Sequence, residues 1–72
     1  MNLDIPQTIR DRRKLLNIDQ KTLARIAGIS VHSLSDIETG KGNPTLSTVL
    51  SVLDALGMTL VPAIKQPEPP DA

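Results

Sequence analysis

The chain has 72 residues, with eight basic and eight acidic side chains, no cysteine, and no Phe, Trp or Tyr. The missing cysteines exclude disulfides, thiol nucleophiles and thiolate metal sites, and a formal net charge of zero excludes an indiscriminate polycation that coats nucleic acid. A chain this short buries only about 60% of the surface it exposes when unfolded, so a core limited to Leu, Ile, Val, Ala and Met implies modest stability and makes self-association physically reasonable.

The charge is unevenly spread. Arg10, Arg12, Arg13, Lys14, Lys21, Arg25 and Lys41 lie within residues 10–41, where only Asp11, Asp19, Asp36 and Glu38 oppose them; beyond Lys41, Lys65 faces Asp54, Glu68 and Asp71. The N-terminal residues lack the basic start and apolar run of a signal peptide, and no apolar stretch approaches the roughly 18 residues of a membrane span. The expectation is a soluble cytoplasmic protein.

In chain order, Asp4 is placed to cap a first helix, with Gln7 three residues on to answer it and Pro6 tolerated in the first turn. Ile5, Ile9 and Leu16 mark its predicted buried stripe, and Asn17 is a left-handed stop. Asp19 caps a second short helix carrying Leu23, Ala24, Ile26 and Ala27, which Gly28 ends. Ser30 caps a third, with Leu34 and Ile37 inward and His32, Ser33, Ser35 and Asp36 outward, closing at Gly40. Lys41-Gly42-Asn43-Pro44 reads as a turn. Thr45 then caps a fourth helix, whose predicted apolar face is Leu46, Val49, Leu50, Leu53 and Leu56, with Gly57 as terminator.

After Gly57 the period changes. Met58, Leu60 and Ile64 alternate with Thr59, Val61 and Ala63, which predicts a short strand over 58–65, confined to an edge by Pro62. Because no second strand is visible, its ladder partner is expected to be a twofold mate, with Met58, Thr59, Leu60, Val61 and Ile64 as dimerisation residues. The proline-rich tail 66–72 is expected to be disordered.

Two short helices joined by a glycine turn cross steeply, and the inner face needs small or aliphatic residues at fixed offsets. Leu23, Ala24 and Ala27 before Gly28, and Ile29, Leu34 and Ile37 after it, meet that need. As a set, these positions resemble the helix-turn-helix of phage repressors and Xre-like regulators, and Gly28-Ile29-Ser30 to Glu38-Thr39-Gly40-Lys41 is similar to that family's most recognisable stretch. The resemblance implies an all-α, lambda-repressor-like domain of four to five short helices over residues 1–57, with the C-terminal strand pairing across a dimer.

Several residue roles follow from the resemblance. Gln20 would bond a phosphate and brace the recognition helix; Glu38 and Arg13 would form an internal ion pair. The third helix would enter the major groove and offer Ser30, Val31, His32, Ser33, Ser35, Asp36 and Thr39 to base edges and phosphates. Val31 is either a thymine-methyl contact or core, and Asp36 either accepts from cytosine or is a plain surface residue. Lys21, Lys41 and Asn43, together with Arg12 and Thr45, are candidate phosphate donors. His32 is the sole histidine and has no cysteine partners, so a catalytic or metal role is disfavoured; no cofactor is expected, and no enzyme motif appears at usable spacing.

The stretch Leu56-Gly57-Met58-Thr59-Leu60-Val61 resembles the dimerisation strand of HipB-like antitoxins. That implies a homodimeric repressor of a palindromic operator on double-stranded DNA, serving also as antitoxin to a HipA-like kinase toxin. A stand-alone phage or host repressor, and an interaction adaptor that has lost DNA binding, are the alternatives left open.

Overall fold

The computed structural model describes residues 4–62. Four helices account for its regular structure: α1 (Ile5–Leu15), α2 (Gln20–Ala27), α3 (Val31–Thr39) and α4 (Leu46–Ala55). The predicted four to five helices are thus four. Ile64, expected above to take part in dimerisation, lies outside the described residues, as do Ala63, Lys65 and the tail 66–72.

Each helix starts and stops by the same local chemistry. The side chains of Asp4, Asp19, Ser30 and Thr45 accept hydrogen bonds from the backbone N–H three residues on, at 2.7 to 3.1 Å, satisfying an otherwise orphaned donor. Gln7 does not return the favour to Asp4 as a capping box requires; its amide donates to Asp11 instead. At the far ends a left-handed residue reverses the chain, Asn17 after α1 and Gly28, Gly40 and Gly57 after the others. The following N–H then reaches back five residues: Ile18 to Arg13, Ile29 to Ala24, Lys41 to Asp36 and Met58 to Leu53. In this motif the residue after the reversal commonly packs on the helix it closes. Ile18, Ile29 and Met58 do pack against the core, whereas Lys41 is exposed, so the end of α3 presents a cation in place of an apolar plug.

The core joins all four helices through Ile9, Leu23, Ala24, Leu34, Ile37, Val49, Val52, Leu53 and Leu56. α2 packs on both α3 and α4, and α1 packs on α3. Ala24 sits at the α2–α3 crossing, where it is 1% exposed. At Gly28 the backbone angle φ is +75°, and a Cβ there would meet no atom within 4 Å. The demand for glycine is therefore conformational, arising from the left-handed backbone rather than from crowding.

Two predicted stripes are corrected. Leu16 is exposed, because α1 ends at Leu15 and the inward position one turn after Ile9 belongs to Arg13, whose side chain turns to Glu38. On α4 the buried face is Val49, Val52, Leu53 and Leu56, while Leu46 and Leu50 are exposed at 66% and 37%. Both sets satisfy a helical period, and the packing of α2 decides which way the helix is turned.

The segment after Gly57 has the predicted alternation but a different immediate use. Met58 and Leu60 pack against this chain's own core, and Thr59 and Val61 point outward. No strand forms among the described residues of this single chain.

Replacing Ala24 with Leu should overpack the crossing and cost about 1 to 3 kcal/mol, and Gly28→Val should cost about 1 to 2 kcal/mol through the left-handed strain. Both are read from chemical denaturation midpoints, with unchanged midpoints contradicting the crossing described. A second expectation concerns acid. The Asp19 carboxyl is held below its ordinary value of 3.8, first by the backbone hydrogen bond from Thr22. A lowered folded value gives stabilisation that is complete above pH 3.8 and lost as pH falls through the folded value. Asp19→Asn should therefore lose less of its thermal midpoint between about pH 5 and pH 2.5 than the parent does.

Candidate nucleic-acid interface

The geometry of α3 is set at its C-terminal end. Glu38 is 2% exposed and Arg13 14% exposed at the side chain. The guanidinium meets the carboxylate with two contacts, Nε to Oε2 at 2.8 Å and Nη2 to Oε1 at 2.9 Å, so the pair is bidentate and planar. The remaining Arg13 nitrogen donates to the Ile18 carbonyl at 3.1 Å, tying in the α1–α2 turn. Gln20, in the first turn of α2, donates from Nε2 to Glu38 Oε1 at 3.2 Å. Arg10 donates to the Glu38 backbone carbonyl, one of the acceptors a helix end leaves open. Among the described residues no buried side-chain nitrogen or oxygen lacks a partner. The Arg13 pKa is raised above its ordinary value, chiefly by the hydrogen bond to Glu38. Since stabilisation from a raised value is lost only as pH climbs through the folded value, the guanidinium stays charged, and this bracing persists, throughout the neutral and mildly alkaline range.

With one end held, the other end of α3 faces solvent. Val31 is 43% exposed, which removes the core alternative for this residue. His32 and Ser33 are also exposed, and Ser35 and Asp36 are half-buried. Ser30 is engaged as the cap and donates its hydroxyl hydrogen to Ser33. Thr39 donates its own to the Ser35 carbonyl at 2.8 Å, so it offers an acceptor but no free donor. His32 Nε2 lies 3.4 Å from Asp36 Oδ2, one turn along the same face.

The loop after α3 closes against this face. Ser33, Asp36 and Ile37 line a depression of about 220 Å³ together with Lys41, Gly42, Asn43, Pro44 and Thr48. Lys41 and Asn43 are thereby brought beside Ser33 and Asp36, a juxtaposition that crosses a left-handed reversal and could not be counted from spacing. Lys21 is exposed in the first turn of α2, beside Gln20 in sequence. The hydroxyl of Thr45 is committed to capping α4.

Arg12 is partly engaged: its Nε donates to the Leu56 carbonyl at the end of α4, at 3.1 Å, an internal clasp that leaves its Nη hydrogens as donors. Arg10, which donates to the Glu38 carbonyl, and the Arg12 clasp on Leu56 both went unassigned in the sequence. Adjacent arginines read as a solvated basic run unless one asks which helix ends have carbonyls to satisfy.

Comparison with known proteins agrees with this geometry. Residues 9–62 match the family described as helix-turn-helix. An uncharacterised helix-turn-helix-type transcriptional regulator of Sinorhizobium fredii is 37% identical over 57 residues, covering 79% of this chain and 75% of that protein. The cryptic phage CTXphi transcriptional repressor RstR of Vibrio cholerae is 31% identical over 58 residues, covering 81% of this chain and 52% of its own length. Among solved structures, the c2 repressor of phage P22, in complex with a synthetic operator, superposes with a TM-score of 0.72 at 29% identity over 81% of this chain and 88% of that one. The restriction-modification controller protein C.AhdI of Aeromonas hydrophila gives 0.71 at 28% identity over 75% and 82%.

Truncating Glu38 to Ala leaves the largely buried Arg13 charge uncompensated. The expected loss of stability is about 3 to 5 kcal/mol, measured by denaturant unfolding; a loss within about 0.5 kcal/mol would show that the pair does not position α3.

Proposed function

Since the chain belongs to the helix-turn-helix family of transcriptional regulators, we propose that it is a sequence-specific repressor that binds double-stranded operator DNA as a homodimer, with α3 in the major groove. The observation that carries this reading is the asymmetry of α3. Its C-terminal end is fastened by Arg13, Gln20 and Arg10, while its first two turns present Val31, His32, Ser35 and Asp36 outward. A recognition helix needs that division, because the groove is read by side chains near the N-terminus of a helix whose pose must not drift. Lys21, Lys41 and Asn43 are exposed and supply donors for the flanking phosphates. Gln20 spends its amide hydrogen on Glu38 and leaves its second hydrogen for a phosphate.

Dimerisation through the segment after Gly57 is supported by its backbone. Thr59, Leu60 and Val61 make no backbone hydrogen bond with other described residues, and Met58 and Leu60 anchor the segment to the domain. A twofold mate would complete the ladder and hold two recognition helices about one turn of DNA apart, roughly 34 Å. The similarity of residues 56–61 to HipB-like antitoxins supports a narrower form of the proposal. In that form the protein is the antitoxin of a type II toxin–antitoxin operon, binds a HipA-like kinase toxin and represses its own promoter.

The test is a titration of the protein against its own upstream promoter, with and without the product of the neighbouring gene. Nanomolar, salt-sensitive binding that Val31→Ala, His32→Ala and Ser35→Ala together abolish is expected, at about 1 to 3 kcal/mol for each good base contact. Normal binding by the triple variant would overturn the groove assignment. Thr59→Pro removes one ladder donor while sparing the inward side chains of Met58 and Leu60, and should convert a sedimenting dimer to monomer. Co-purification of a kinase-like protein is the result the antitoxin form requires.

A further inference from the structure

Resting on the reading of α3 as the groove helix, we propose that Asp36 sets base preference in the half-site by selecting cytosine through its N4 amino group, and that His32 is the residue that positions it. The outward face of α3 carries no Arg, Lys, Asn or Gln, the side chains that make bidentate contacts to guanine or adenine. Its hydroxyls are partly spent: Ser30 on its cap and on Ser33, and Thr39 on the Ser35 carbonyl. The Asp36 carboxylate is different. It is half-buried, lines the depression with Lys41 and Asn43, and touches only His32 within salt-bridge distance.

A carboxylate is acceptor-only, so in the major groove it can meet only a donor. Guanine presents two acceptors and thymine a carbonyl and a methyl, which it rejects. Adenine pairs its N6 donor with the N7 acceptor, which repels a second carboxylate oxygen, whereas the N4 amino group of cytosine stands without an adjacent acceptor on its own base. Cytosine is the base that fits.

A carboxylate carried between phosphate rows is repelled; among the described residues His32 is its ion-pair neighbour, and Lys41 lines the same depression. His32 Nε2 occupies the Oδ2 side at 3.4 Å and leaves Oδ1 for the base. α1 and α2 pack on α3 but direct Arg10, Arg13 and Gln20 to Glu38, at the other end of the helix. Among the described residues, Asp36 is the sole ion-pair partner of His32.

The experiment selects operators from a randomised half-site library with the parent, Asp36→Asn and His32→Ala proteins, then measures affinity for the selected site and its single-base variants. The parent should favour cytosine at one position by about tenfold or more. Asp36→Asn should move that position to adenine, which a carboxamide reads in bidentate fashion, with the other positions unchanged. His32→Ala should keep the same preferred base but lose most of the parent's cytosine preference, because the carboxylate is then no longer held on its Oδ2 side. Cytosine retained by Asp36→Asn overturns the base assignment, and an undiminished cytosine preference in His32→Ala overturns the positioning role of His32, leaving the groove reading intact in each case. A parent protein that enriches no sequence overturns the groove reading and this proposal with it.

Discussion

A single buried carboxylate organises this small fold. Glu38 lies at the end of α3 and is reached from α1 by Arg13, from α2 by Gln20 and, through its backbone carbonyl, from α1 again by Arg10. An ion pair taken out of water is not a strong source of net stability, because desolvation offsets much of the attraction. Its value here is directional. A bidentate contact between two planar groups fixes angle as well as distance, and an aliphatic core without aromatic rings offers few shapes that could fix the same angle by interlocking.

The arginines of α1 extend that principle. Arg10 serves the end of α3, Arg12 the end of α4 and Arg13 the turn before α2. Helix ends leave carbonyls unsatisfied and carry partial negative charge, so a cation there gains both a hydrogen bond and the dipole. One basic helix thus clasps the other three elements, and much of the positive charge of residues 10–41 is internal mortar. The net charge of the region consequently overstates the cation density free to meet phosphate, which falls mainly to exposed residues such as Lys21 and Lys41.

This division of labour shapes the face that α3 presents. A helix held firmly at one end can afford side chains of low intrinsic affinity at the other, since orientation is already supplied. Val31, His32, Ser35 and Asp36 form such a set: one apolar side chain, one histidine–carboxylate contact and one small hydroxyl. Lys41 closes α3 where apolar residues close the other helices, so the cation stands where the helix meets its surroundings instead of filling the core.

The sequence by itself determined the helix ends, the motif and the pairing of Arg13 with Glu38 that its family resemblance implied. All four caps and all four left-handed stops were legible because capping depends on contacts within five residues, which spacing encodes. Ala24 and Gly28 were legible from the motif: a tight helix pair tolerates little bulk at Ala24, and the left-handed reversal after α2 favours glycine at Gly28. Tertiary structure alone decided which way each helix is turned. It hid Val52 and exposed Leu46 and Leu50, replaced Leu16 by Arg13 on the inner face of α1, sent Arg12 to Leu56, and folded Met58 and Leu60 onto their own core. Those outcomes depend on partners 20 to 45 residues away in the chain, and a helical period specifies that a face is apolar without specifying its phase when two phases are nearly as greasy as each other.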